Sequence, residues 1–179
     1  MRLPVRVRPW KELPIARSLL LTVLGYAAAV LVVCPSLLWF GAVDLPDELL
    51  EFCAGNLAFW GRELAQGHLP HWNPYRLGGM SVFADPACLA PFYPLGWLTP
   101  VLPLDAFFLL SWLLHLGVGG AGVHQLVLRL GGSTRAAMAG GFSWLCSTTC
   151  MAALVDGQLD VVAILAWLPW ALVSVQVAA

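Results

Sequence analysis

Six of the ten carboxylates in this chain fall between Asp44 and Asp85. Asp44, Asp47, Glu48 and Glu51 form the densest group. A carboxylate here can take the proton of a hydroxyl acceptor or help ligate a hard divalent cation. The same acids also suit a solvated helix start, where the helix dipole favours negative charge. A second group runs from His68 to Gly79, with Asp85 following. Its proline and paired glycines impose a loop shape. Trp72 and Tyr75 offer flat faces suited to sugar rings or lipid headgroups, and the guanidinium of Arg76 suits phosphate. A rigid interfacial loop with a belt of aromatics is the alternative reading.

Asp156-Gly157-Gln158-Leu159-Asp160 reads as a turn that caps two helices, with completion of a polar site as the alternative. His115 and His124 lie within an apolar run. Ionisable groups at that depth are functional candidates, although neutral histidines bonded between helices are the commoner case. No Gly-rich phosphate loop, Ser-His-Asp arrangement or HExxH motif is present. The glycines at 117–122 follow no strand, so they are not a nucleotide fingerprint.

The elements that must carry these groups follow from composition. Of 179 residues, 60% are hydrophobic and 11% charged, and mean hydropathy is +0.80. Soluble domains run near about 45–50% apolar and about 25% charged, so the chain is expected to be a membrane protein. The net charge of −1 and the lack of a basic stripe argue against nucleic acid as a partner.

The expected fold is all-α: a polytopic transmembrane helical protein with about four spanning helices, an extracytoplasmic amphipathic helix and a proline-rich re-entrant or interfacial segment. One domain covers 1–179. Residues 1–17 are a cytoplasmic lead and 18–41 a first span, with a kink near Pro35. The extracytoplasmic loop is 44–86. Within it Asp47–Gln66 is amphipathic, with Leu50, Ala54, Leu57, Ala58, Gly61 and Leu64 at helical steps. Residues 87–104 hold four prolines and are read as re-entrant or interfacial. Further spans cover 105–128, 136–155 and 161–179. Gly117, Gly119, Gly120 and Gly122 give the second span a face for close packing.

Five of nine basic residues precede the first span. The positive-inside rule puts the N-terminus in the cytoplasm. Seven basic residues then lie inside, only Arg62 and Arg76 lie outside, and nine of ten acids fall outside or at the outer boundary. The first apolar run is longer than a signal-peptide core of about 7–15 residues, so it is read as an uncleaved anchor. Of the five cysteines, Cys34, Cys146 and Cys150 are read as packing residues. Cys53 and Cys88 share the outer side, where a disulfide between them is an open option.

Gly67-His68-Leu69-Pro70-His71-Trp72-Asn73-Pro74-Tyr75, followed by Gly78-Gly79, Ala84-Asp85-Pro86 and Phe92-Tyr93-Pro94, resembles the N-terminal region of the YfhO-like bacterial membrane proteins. His115-Leu116, Gly131 with Arg135-Ala136, and Trp167-Leu168-Pro169 fit the same pattern. The resemblance runs from about Asp44 to Pro169 and is most specific at Leu-Pro-x-Trp-Asn-Pro-Tyr. That family resembles the GT-C-fold glycosyltransferases, polytopic enzymes of the bacterial inner membrane. They take a sugar from a polyprenyl-phosphate donor on the outer face and pass it to a cell-envelope acceptor.

The resemblance implies a catalytic aspartate in the first outer loop, best matched by Asp47 with Asp44 as alternate. Trp72, Asn73, Tyr75, Arg76, Asp85 and Tyr93 are the substrate-binding candidates. Arg76 is set toward phosphate, and Asp85 toward the acceptor or a divalent cation. Where the family has a proline in the amphipathic helix, this chain has Phe52-Cys53-Ala54. Family members are also several hundred residues long, so this sequence is expected to be incomplete relative to them. The alternative function is a small non-catalytic membrane subunit or truncated paralogue, a helix-packing module in a larger complex. A transporter fits less well, because the charges cluster in a loop. Either leading reading implies a lipid bilayer and protein partners or an oligomer around the chain.

Overall fold

The computed structural model describes residues 16–35, 37, 53–84 and 91–178. Helix dominates them. The helices are α1 (Ala16–Val33), α2 (Gly55–Ala65), α3 (Leu104–Arg129), α4 (Thr134–Leu145), α5 (Thr148–Val155) and α6 (Leu159–Ala178). Two stretches are long and apolar enough to cross a membrane, Leu104–Arg129 and Thr134–Val155. The described apolar parts of α1 and α6, Ser18–Val33 and Leu159–Val175, are shorter. At 1.5 Å per residue α3 is about 39 Å long, more than the hydrocarbon thickness of about 30 Å.

Helix α3 is the hub, and α1, α4 and α6 all pack on it. Its glycines explain how. A methyl at Gly117 would meet the Val23 carbonyl and Ala27 of α1. One at Gly119 would lie inside the Trp144 indole of α4, and one at Gly120 would press on the Tyr26 ring of α1. One at Gly122 would touch Pro169 and Trp170 of α6. The expected close packing at these glycines is present, but not as a single face: Gly117 and Gly120 meet α1, Gly119 meets α4 and Gly122 meets α6. At Gly119, Gly120 and Gly122 a large side chain from a neighbour fills the volume, and at Gly117 the backbones themselves come close.

Three boundaries differ from the sequence expectation. The predicted 18–41 span ends as a helix at Val33, because Pro35 disfavours helical geometry in the residue before it. Residues 36 and 38–41 lie outside the described residues. The predicted 136–155 span is two helices. Ser147 takes an extended conformation (ψ 143°) and its side-chain oxygen accepts from the Cys150 amide, capping α5. A serine hydroxyl that caps a new helix competes with continuation of the old one. By contrast, α6 runs on through Pro169.

The third difference is a small antiparallel sheet in the otherwise helical chain. Strand β1 (Trp72–Asn73) pairs with β2 (Met80–Ser81), in register Trp72 to Ser81 and Asn73 to Met80. The predicted helix over Asp47–Gln66 is seen from Cys53 onward, as one π turn and then α2. Residues 91–103 form turns and a short 3-10 helix, Pro94–Leu98, and no straight spanning helix.

A polar chain ties the layer formed by α2, the hairpin and residues 91–103 to the bundle. The Trp167 indole N–H of α6 donates to the Tyr93 hydroxyl at 3.0 Å. Tyr93 stands 2.6 Å from His115 Nε2 of α3, and His115 Nδ1 stands 2.6 Å from the Ser111 carbonyl. A carbonyl only accepts, so Nδ1 carries a proton, and Nε2 shares a hydrogen bond with the Tyr93 hydroxyl. His124 is likewise bonded, with Nδ1 2.9 Å from the Tyr26 hydroxyl. Both histidines therefore join helices or segments, as the commoner use of such residues has it.

Candidate functional site

The site candidate lies between α2 and the hairpin. One face of α2 turns inward: Leu57, Trp60 and Gly61 are buried. Trp60 donates its indole N–H to the Gly96 carbonyl at 3.2 Å. Gly61 lets α2 approach the Thr99 backbone so closely that a methyl there would sit 2.8 Å from its oxygen. The adjoining face carries Gly55, Asn56, Ala58, Phe59 and Arg62, spaced at helical steps, and opens to a cavity.

Helix α2 stops at Gly67, whose φ of 79° suits a residue without a side chain. The His68 amide bonds back to the Glu63 carbonyl at 2.9 Å. The chain then enters the hairpin, whose tip holds three successive positive-φ residues: Leu77 (49°), Gly78 (77°) and Gly79 (117°). At Gly79 a side chain would strike the Trp72 indole. Leu77 is a non-glycine in the left-handed region, a sparsely used conformation that clusters at ligand clamps and other functional sites.

Asn73 fixes the hairpin to α2. It is 3% exposed, and its side-chain amide donates to Asn56 Oδ1 at 2.6 Å. Its own Oδ1 accepts from the Tyr75 amide at 3.0 Å, which closes the turn. Tyr75 is thereby held edge-on to Phe59, with ring centroids 6.1 Å apart. The Arg62 guanidinium lies 5.7 Å from the Phe59 ring centre and 5.9 Å from that of Tyr75. Both distances are within cation–π range.

These groups enclose a cavity of about 470 Å³ lined by Asn56, Phe59, Arg62, Asn73, Tyr75 and Arg76, with Leu77 at its edge. Its described lining carries two guanidinium groups and no carboxylate. Such a wall suits an anion, because guanidinium groups present several donors in one plane. The aromatic faces beside them suit an apolar or sugar-ring surface.

The structure thus brings Asn73, Tyr75 and Arg76 together, with Asn73 acting as the brace. It adds Asn56, Phe59 and Arg62, which the sequence reading did not assign to the site. One signal was present in the sequence: Arg62 and Arg76 are the two basic residues of the predicted outer loop. Trp72 lies against Gly79 and does not line the cavity. Tyr93 does not line it either, and its hydroxyl is bonded to His115 and Trp167.

Asp44, Asp47 and Asp85 lie outside the described residues, as does Cys88 of the disulfide option. No group of three His, Cys, Asp or Glu side chains gathers around a metal-sized space among the described residues.

Comparison with protein-family models, curated proteins and solved structures finds no match to this chain.

Proposed function

We propose that this chain contributes the outer-face region of a multi-pass bacterial membrane glycosyltransferase, which transfers a sugar from a polyprenyl-phosphate donor to a cell-envelope acceptor. In this reading α1, α3, the α4–α5 pair and α6 are its four crossings, with the N-terminus in the cytoplasm. The observation that carries the reading is the cavity between α2 and the hairpin, with Arg62 and Arg76 beside Phe59 and Tyr75. The arginines hold the donor phosphate and the aromatic faces take its sugar. The acidic segment 44–51 immediately precedes α2 in the chain and supplies the base, Asp47, with Asp44 as alternate.

The step balances simply. The acceptor oxygen bonds to the anomeric carbon and its proton passes to the Asp47 carboxylate. The bond from that carbon to the phosphate oxygen breaks, and polyprenyl phosphate leaves with the electron pair. Positive charge beside the phosphate stabilises the charge that develops there.

The test is transfer of radiolabelled sugar from a polyprenyl-phosphate donor in membranes containing the complete protein. Asp47→Asn is expected to lower transfer by at least about 100-fold, the usual scale for loss of a general base, at unchanged protein abundance. Arg62→Ala is expected to raise the KM for the donor. Equal transfer by wild type and Asp47→Asn sinks the assignment of the base. Absence of any transfer from the wild-type protein sinks the reading.

A second reading, a non-catalytic membrane subunit, draws on the exposed Ile164, Trp167, Leu168, Leu172 and Val175 of α6. A partner helix would cover that strip. Under this reading Asp47→Asn is silent, and substitutions on the α6 strip release the partner.

A further inference from the structure

A second cavity lies further toward the C-terminal end of α3 than His115. It measures about 290 Å³ and is lined by Thr22, Gly25 and Tyr26 of α1, His124 of α3, and Met138 and Phe142 of α4. Its walls are apolar apart from the Tyr26–His124 pair and the Thr22 hydroxyl, which is bonded to the Ser18 carbonyl. Gly25 leaves it open: a methyl there would meet nothing within 4 Å. Of its lining, Met138 and Phe142 on α4 are exposed, and on α1 the chain neighbours Leu21 and Leu24 are exposed too. The groove therefore opens sideways, onto the surface these helices turn toward their surroundings. In a bilayer, the molecules that reach such an opening are lipids.

Charge indicates which part of a lipid belongs where. Arg135, Met138 and Phe142 stand at i, i+3 and i+7 on α4, so they share one helix face. Arg135 is the end member, beside the Gly131–Thr134 turn, and its side chain is exposed. Along that face a cation in the first turn of the helix gives way to the apolar lining of Met138 and Phe142. A phospholipid has the matching order, phosphate and then acyl chain.

We propose that the groove between α1 and α4 binds one bilayer phospholipid, its phosphate on Arg135 and an acyl chain lying over Gly25 between Met138 and Phe142. The Tyr26 hydroxyl is bonded to His124 and to the Ala137 and Met138 carbonyls, so it forms part of the groove wall. The proposal needs only that these helices lie in a membrane. It is independent of the cavity between α2 and the hairpin, so it stands or falls apart from sugar transfer.

Native mass spectrometry of the delipidated full chain, titrated with dioleoyl-phosphatidylglycerol, tests it. The wild type is expected to bind one lipid and to melt at a higher temperature when loaded. Gly25→Leu fills the slot and Arg135→Ala removes the phosphate partner. Each is expected to weaken binding by about tenfold or more, equivalent to about 1.4 kcal/mol, with the lipid-free melting temperature unchanged. Wild-type affinity in either variant, or no one-to-one complex with the wild type, overturns the proposal. Arg135 is exposed and its variant keeps the fold, so the question is decided even if Gly25→Leu does not fold.

Discussion

In the bundle, the smallest residues of α3 lie beneath the largest of its neighbours: Gly119 under Trp144, Gly120 against Tyr26, Gly122 against Pro169 and Trp170. In the layer of α2, the hairpin and residues 91–103, short elements are pinned at single polar points, Trp60 to the Gly96 carbonyl and Asn73 to Asn56. Edge-on aromatic contacts of Trp60 with Phe83 and Trp97 fill in around them. The bundle satisfies its backbone within long helices, so its side chains are free to be apolar and its fit is one of shape. The layer has little regular backbone pairing and must recruit side chains to satisfy its carbonyls and amides. The Asn73 and Asn56 amides are bonded in this way, and the Tyr75 ring lies edge-on to Phe59 beside the cavity. The region with the weaker framework is the one that carries polar side chains around a cavity.

Substitutions can test this contrast. The largest effect is expected from Gly119→Leu, because the Trp144 indole occupies the volume the new side chain needs. Overpacking usually costs about 1–3 kcal/mol, but here a buried helix contact must separate. The expected outcome is loss of the monodisperse folded protein on size exclusion in detergent. A variant that elutes and melts like wild type would refute shape as the organising force of the bundle.

Trp60→Ala comes next. Its indole is fully buried, and such truncations cost about 3–5 kcal/mol. The loss should stay local: limited proteolysis should cut residues 67–103 faster while helical circular dichroism is retained. Collapse of the whole molecule would show that layer and bundle are one cooperative unit.

The smallest effect belongs to Tyr93→Phe, which severs the polar chain joining the two regions. It removes two hydrogen bonds and leaves His115 Nε2 without its phenol partner. A cost of about 1–3 kcal/mol is expected in the thermal midpoint. No change would mean that apolar contacts alone dock the layer.

These contrasts also explain what could be read from the sequence. Helix α3 and the close packing at its glycines were legible, because a long apolar run with clustered small residues has few other uses, but that the glycines serve three neighbours was not. So were the stop at Gly67 and the non-spanning character of the proline-rich 91–103. The break at Ser147 was not, because one local hydroxyl-to-amide bond decides it within a run that stays apolar on both sides. The hairpin was missed because two-residue strands show no alternation to detect. The pairs Tyr26–His124 and Tyr93–His115 span 98 and 22 positions, and no periodicity marks them. In the candidate site the arginines stood out by rarity. Phe59 and Asn56 did not, since on an amphipathic helix they look like ordinary packing and surface residues.

The division between α4 and α5 has a consequence for isotope exchange. Ser147 serves as the cap, so Cys150 and Met151 have partners in its side-chain and backbone oxygens. Thr148 and Thr149 begin a helix, and a helix gives its first amides no internal acceptor. In deuterated solvent these two positions should take up label within the time that Phe108–Gln125 of α3 stays protonated. A narrow band of rapid deuteration, flanked by slow exchange in α4 and α5, would mark a place within the bundle where water reaches the main chain.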